Sequence, residues 1–395
     1  MATDYSFLLQ SIAWPLVMLL AWFAAERAYV AWHVPRVTSY VAVGLLGGLA
    51  NLPGLTTDVP GLPFLANAAL SLVLFELGYR INLRWFRHNP WVLVLGVIES
   101  LVTFGLIYWV SGWFDLAVDL RLIVAALSIS ASPAGIVRVA NELRSAGQVT
   151  ERVLHLCAIN CMVAVLLLHL VAGYWHLSTS GDFAAAALGS VYVLVTSVAA
   201  GTVLGVAMPW LLRRQKTSER GVTVVFALSV VLLTTMTFGL SISPLLAALA
   251  FGIVARERRV HLTNAQRGFG TAGDLLSVFL FVYIASLLDW SEVGTGMALG
   301  LLLILVRTAS KVVCNMAAAR LSGSTERKGL LTGLALTPMS VFAIVLLEQS
   351  RTHGFGPAGE VLTVVAAMMM LQELLGPVVT QRSLLAAAET HVTKE

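Results

Sequence analysis

The chain is built from long apolar runs separated by short polar connections, from one end to the other. Runs of about 20 residues, enough for a helix to cross a bilayer, recur at about 6–26, 37–53, 62–79, 90–111, 120–137, 153–173 and 183–212. They continue at about 221–238, 241–255, 272–288, 293–319, 329–348 and 359–381. The pattern predicts an all-α polytopic membrane protein with about thirteen transmembrane helices in a single membrane domain, 1–395. Its longest hydrophilic stretches, near 138–152 and 256–270 and in the C-terminal tail, are too short for a soluble regulatory domain.

Composition closes off the alternatives. Of the 395 residues, 58% are hydrophobic and 12% charged, and mean hydropathy is +0.85. A soluble domain carries about 25% charged residues, so this chain could not cover a water-soluble globule. Disorder, a disulfide scaffold and a nucleic-acid partner are excluded with it, the last despite an isoelectric point near 9.1.

The basic residues explain that isoelectric point. Of 25 Lys and Arg, 21 fall on alternate connections: Arg27 and Arg36; Arg80, Arg84 and Arg87; Arg138, Arg144 and Arg152; Arg213, Arg214, Lys216 and Arg220; Arg256, Arg258, Arg259 and Arg267; Arg320, Arg327 and Lys328; Arg382 and Lys394. Only Arg121 and Arg351 lie on the other side. Basic loops resist translocation. The expected topology in a cell inner (plasma) membrane therefore has the N-terminus outside and the C-terminus cytoplasmic. Residues 1–10 lack a basic n-region, so no cleavable signal is expected. No Walker A pattern occurs, so neither ATP-driven pumping nor a cofactor is expected, and a secondary carrier, a channel or a non-transporting protein remains.

Two runs interrupt their own helix. Ser130-Ala131-Ser132-Pro133-Ala134-Gly135 puts small polar residues and a proline in the fifth, and Leu336-Thr337-Pro338-Met339-Ser340 does so in the twelfth. Proline removes an intrahelical hydrogen bond, and lipid offers the freed carbonyls no partner. For either alone, an ordinary proline kink and a functional break are both open. Together they sit on the fifth span of each six-span half, with the seventh as connector, which points to inverted repeats whose unwound helices cross at a transport site.

Charges inside the spans add to this picture. Arg307 and Lys311 lie i,i+4 on one face of the eleventh run, where each costs about 2.5–3.5 kcal/mol to insert. The acidic candidates are Glu76, Glu99 and Glu373. A functional carboxylate and a structural ion pair are both open for Glu99; Glu76 and Glu373 read as structural or interface groups, and Glu348 and Asp274 as solvated span ends.

These residues carry a family resemblance. Leu74-Phe75-Glu76-Leu77-Gly78-Tyr79-Arg80-Ile81-Asn82-Leu83 resembles the end of the third helix of the monovalent cation/proton antiporter superfamily. Ser132-Pro133, Val137 and Asn141-Glu142-Leu143 resemble its first unwound helix. Lys311, Arg320-Leu321-Ser322-Gly323-Ser324, Gly333-Leu334-Ala335-Leu336-Thr337-Pro338 and Phe342-Ala343-Ile344-Val345 resemble its late basic helix and second unwound helix. The resemblance implies an elevator-type carrier, usually a homodimer, exchanging a small inorganic ion for a proton across the bilayer. Helices within 90–175 and 293–385 would form the moving core, 1–89 and 221–290 the scaffold, and 183–212 the link. It also implies an Asp-Asp or Asn-Asp pair on the sixth span, with a late basic residue partnering the first position.

At that pair the chain departs from the pattern. Asn160 fits the first place, but Cys161 occupies the second. A buried thiol is a poor ligand for a hard cation. Three readings follow. The chain is a Na+ or K+/proton antiporter whose site comprises Asn160, Cys161, Ser132, Pro133, Thr337, Pro338, Arg307 and Lys311, with Glu99 as the substitute carboxylate. Alternatively, uncompensated Lys311 and Arg307 with two half-helix N-termini favour an anionic or zwitterionic solute. Or the chain is a transport-inactive sensor or partner. Cys157, Cys161 and Cys314 form no metal pattern and read as small buried groups; no metal is expected. His155, His169 and His176 lie in or near the sixth span; His155, near its cytoplasmic end, could titrate near neutrality, though an interfacial histidine is more often inert. Trp32, Trp85, Trp91, Trp113, Trp175, Trp210 and Trp290 read as interface anchors.

Overall fold

The computed structural model describes residues 2–50, 61–180, 183–215, 219–240, 242–258, 260, 262, 269–286, 290–339 and 358–390. The remaining expectations on Glu348, Ser340 and Phe342 to Val345, and on the side chains of His176, Trp175 and Trp290, lie outside the described residues.

The described chain is helical, as its apolar runs require. In order come α1 (Ala2–Trp32), α2 (Arg36–Leu49), α3 (Leu62–Arg80), α4 (Leu83–His88) and α5 (Pro90–Ser111). Then follow α6 (Val118–Ile129), α7 (Pro133–Glu142), α8 (Gln148–Ser180), α9 (Phe183–Gln215) and α10 (Glu219–Gly239). The last are α11 (Pro244–Glu257), α12 (Gly270–Ser286), α13 (Trp290–Ala317), α14 (Glu326–Ala335) and α15 (Ala358–Ala386). Among the described residues, six helices are long and apolar enough to span a membrane by themselves. The protein is therefore a multi-pass membrane protein. Trp32, Trp91, Trp113 and Trp210 are exposed. Trp85 instead stacks on His155 with ring centroids 4.4 Å apart.

Local chemistry sets the helix starts. The Asn82 side chain accepts from the N–H groups of Arg84 and Trp85 and begins the short α4. Pro90 occupies the first turn of α5, where its missing N–H costs nothing. The apolar run at 241–255 starts late because Ser243 caps α11 through the Leu246 N–H. Small residues then set the packing. A Cβ on Gly201 of α9 would lie 2.0 Å from the Ala247 carbonyl oxygen, and one on Gly252 of α11 would lie 2.2 Å from that of Phe75. Only glycine lets α3, α11 and α9 approach this closely.

The C-terminal end of the described chain closes on a helix start. Glu389 Oε1 accepts from the Val149 N–H at 2.9 Å, and Oε2 from the Thr150 N–H at 2.9 Å. A carboxylate there satisfies two of the orphan donors of the first turn of α8 and complements its dipole. Glu389→Ala should cost about 1–2 kcal/mol, read as a lower melting temperature in detergent. An unchanged melting temperature would show that the contact contributes nothing.

Candidate transport site

The fifth apolar run is two helices. α6 stops at Ile129, Ser130 to Ser132 run extended, and α7 begins at Pro133 under a Ser132 cap, whose Oγ accepts from the Gly135 N–H at 3.2 Å. The twelfth run behaves alike as far as it is described: α14 ends at Ala335 and the chain leaves the helix through Leu336 to Met339. The two extended segments meet. Ala131 and Met339 form an isolated antiparallel bridge, and the Ser132 N–H donates to the Pro338 carbonyl at 2.8 Å. The prolines expected to break their helices sit at this junction, and α15 lies against it closely enough that a Cβ on Gly376 would be 2.7 Å from Pro338 Cα.

Arg307 of α13 satisfies the carbonyls that the breaks expose. Its Nε donates to Ser128 O at 2.7 Å and its Nη2 to Ser130 O at 2.9 Å. Nη1 donates to Thr337 O, and Nη2 also reaches Pro338 O at 3.4 Å. One planar fork thus serves both crossing strands, a geometry an ammonium could not match.

One turn on, Lys311 Nζ donates to Glu99 Oε1 at 2.5 Å and to Ile129 O at 3.2 Å, and both side chains are fully buried. This corrects two expectations. Lys311 partners Glu99 rather than Asn160, and so it is not uncompensated, whereas Arg307 is met by carbonyls and, among the described residues, by no carboxylate within ion-pair distance. Asn160 instead accepts from Ser100 Oγ at 3.0 Å. Among the described residues, neither Glu99 Oε2 nor Asn160 Nδ2 has a hydrogen-bond partner. A buried polar atom without a partner is rare and calls for an explanation such as an ion.

The Cys157 and Cys161 thiols both point at the Ala131 carbonyl, at 3.8 and 3.5 Å. They are buried, unpaired as disulfides, and behave as the small groups expected. Glu373, expected in a structural or interface role, stands at the crossing, where its Oε1 accepts from Ser132 Oγ at 3.5 Å. Glu76 does hold an interface, accepting from Asn141 Nδ2 at 2.8 Å and pairing with Arg80. His155 is buried rather than interfacial: Nδ1 bonds Glu151 O at 2.6 Å, and the Asn82 N–H donates to Nε2 at 3.2 Å. Among the described residues no cluster of His, Cys, Asp or Glu could hold a metal ion.

The chain matches the family model described as sodium/hydrogen exchanger, transmembrane, over residues 16–385. It is 24% identical over 341 residues to the ammonium/H+ antiporter subunit AmhT of Alkalihalophilus pseudofirmus, covering 84% of each chain. Its fold is similar to the sodium proton antiporter MjNhaP1 of Methanocaldococcus jannaschii at pH 8, with TM-score 0.72, 16% identity and coverage of 96% and 99% of the two chains. An electron-microscopy structure of the same antiporter gives TM-score 0.76 at 14% identity, covering 97% and 98%.

Proposed function

The chain belongs to the sodium/hydrogen exchanger family, and from that premise we propose that it exchanges a monovalent cation, Na+ or K+, for a proton at the crossing. It is a secondary transporter rather than an enzyme, and cation/proton antiport is the activity of its family. Our finer reading has about thirteen spans in two inverted repeats, an N-terminus outside and a C-terminus inside the plasma membrane, a homodimer, and elevator movement of the 90–175 and 293–385 core against 1–89 and 221–290.

The observation that carries the exchange is the buried Glu99–Lys311 pair. As it stands the pair is neutral. A cation seated at Glu99 Oε2, unpartnered among the described residues, would leave this pair with one net positive charge out of reach of solvent, at a cost of several kcal/mol. Loss of the Lys311 proton restores neutrality. Cation binding and proton release are then one event, and the opposite carboxylate at position 161 is not needed. Ser132, Thr337, Asn160 and the carbonyls beside Pro133 and Pro338 complete the oxygen-rich seat that a hard cation prefers. Cys161 contributes size and a weak donor.

Proteoliposomes holding a pH gradient test this. Addition of Na+ or K+, with ammonium included because a relative is named for it, should dissipate the gradient. Glu99→Gln and Lys311→Met should each abolish the response. The residue at position 161 specifically favours the transport-inactive reading as the alternative. It is supported if no cation produces flux in the parent and Cys161→Asp creates it.

A further inference from the structure

The short helix α7 starts at the crossing and ends among charges. Its N-cap is Ser132. Near its other end Arg138, Asn141 and Glu142 share one face, three and four residues apart. Each holds a different neighbour. Arg138 Nη1 donates to Asp274 Oδ1 at 2.7 Å and Nη2 to Gly273 O at 2.6 Å, both on α12. Asn141 donates to Glu76 of α3 at 2.8 Å and accepts from Arg80. Glu142 Oε1 accepts from Arg36 Nη1 at 2.8 Å, at the start of α2. Arg36 is shared: its Nε donates to Glu26 of α1 at 2.6 Å, and its guanidinium lies 4.0 Å over the Tyr29 ring. A cavity of about 930 Å³ opens beside these groups, lined by Glu26, Arg36, Arg138, Asn141, Glu142 and Asp274.

We propose that Arg138, Asn141 and Glu142 are positioning residues for transport: they clamp α7, and with it Ser132, to α1, α2, α3 and α12, and protonation of Glu142 opens the clamp. The helix is a ten-residue rod, so a displacement at one end is carried to the crossing strand at the other. The polar clamp is also what would have to part if α7 travels with the core, and to that extent the inference rests on the elevator reading.

Glu142 is the proton-sensitive member. Burial pushes its carboxyl above its usual range, with Arg36 pulling the other way. Burial also opposes the charge on Arg36, but Glu26 and Glu142 outweigh it and keep that group charged. The sign follows. A carboxyl with a raised value takes up its proton earlier as pH falls, so the Arg36–Glu142 pair holds at alkaline pH and is lost on acidification. Arg36 then keeps Glu26 and the Tyr29 ring. The other charged or titratable groups toward Glu142 are Tyr40 on α2, Asp274 on α12, and Glu76 and Arg80 on α3. From α8 come Arg152, bonded to Ser322, and His155, bonded to Glu151 O and the Asn82 N–H; Glu373 of α15 lies at the crossing end.

Spin labels at the exposed Arg27→Cys and Ala146→Cys positions, in the full chain with Cys314→Ser, read the separation between α1 and the connection that leaves α7, without requiring transport. At about pH 8.5 one distance should dominate. As the pH is lowered a second, longer distance should rise from about a tenth or less of the population to become the larger one. Glu142→Gln should show the longer distance at alkaline and lowered pH alike. Arg36→Gln, should the first variant not fold, should do the same. Arg138→Asp should lose the single alkaline distance and Arg138→Asp/Asp274→Arg should recover it, which mere destabilisation would not produce. A distance that ignores pH in the parent, or a Glu142→Gln protein that still responds as the parent does, overturns the clamp. Antiport lost with the distance response intact would instead count against the transport reading alone.

Discussion

Lys311→Met should be among the most damaging single substitutions in this protein. It leaves the Glu99 carboxylate buried, with its only basic partner among the described residues removed. Breaking one side of a buried pair costs about 3–5 kcal/mol, whereas replacing both sides with apolar groups of similar volume is often neutral. Glu99→Leu/Lys311→Met should therefore recover most of the melting temperature lost by Lys311→Met, while remaining unable to exchange. Thermal unfolding in detergent across the parent, the two single variants and the double variant measures the coupling. If the double variant is as unstable as the sum of the singles, the pair is not coupled. The charge argument for obligatory exchange would then lose its foundation.

The second large effect is expected at Arg307. Arg307→Ala removes donors to the Ser128, Ser130, Thr337 and Pro338 carbonyls in one step. Each buried acceptor left without a partner costs about 1–3 kcal/mol. Neither lipid nor a neighbouring helix can replace them. The variant should fail to accumulate in the membrane as a folded species, judged by a monodisperse peak in detergent. Arg307→Lys keeps the charge but loses the fork, and should fold with a lower melting temperature and weakened exchange. An alanine variant as stable as the parent would mean that the two strands satisfy one another without help.

Much of the architecture was legible because the information is local. An apolar run announces a helix from its own residues, and Ser-Pro or Thr-Pro within a run announces where it ends. The breaks at Ser132-Pro133 and Thr337-Pro338 could be read for that reason, and so could the involvement of Arg307 and Lys311. Partnership is not local. Glu99 and Lys311 are 212 positions apart, and nothing in either segment says which acid the lysine meets. The same blindness hid Glu389, whose carboxylate looks like part of a polar tail and in fact closes the start of α8. It also hid the partners of α7, since Arg138, Asn141 and Glu142 open a hydrophilic stretch whose residues do not say which three helices they meet. Glu373 was set aside because a carboxylate on an apolar helix gives no hint of the turn of chain it faces. The close approach at Gly201 and Gly252 could have been suspected from small residues at helical spacing, a signal that common alanines and glycines dilute.

The pairing of Ala131 with Met339 and of Ser132 with Pro338 has a consequence for biogenesis. Ribosomes add about 5–20 residues per second, so the first strand emerges some 10–40 s before the second exists. During that interval Ser128 and Ser130 have neither Arg307 nor the opposite strand, while the Cys157 and Cys161 thiols that serve Ala131 arrive within seconds. The nascent half must therefore wait, shielded by the insertion machinery or by early helices such as α8, until nearly the whole chain has been made. Quality control that senses exposed polar backbone in the bilayer would act on this chain late in synthesis, and a truncation just before Pro338 would be recognised as unfinished even with most of its spans inserted.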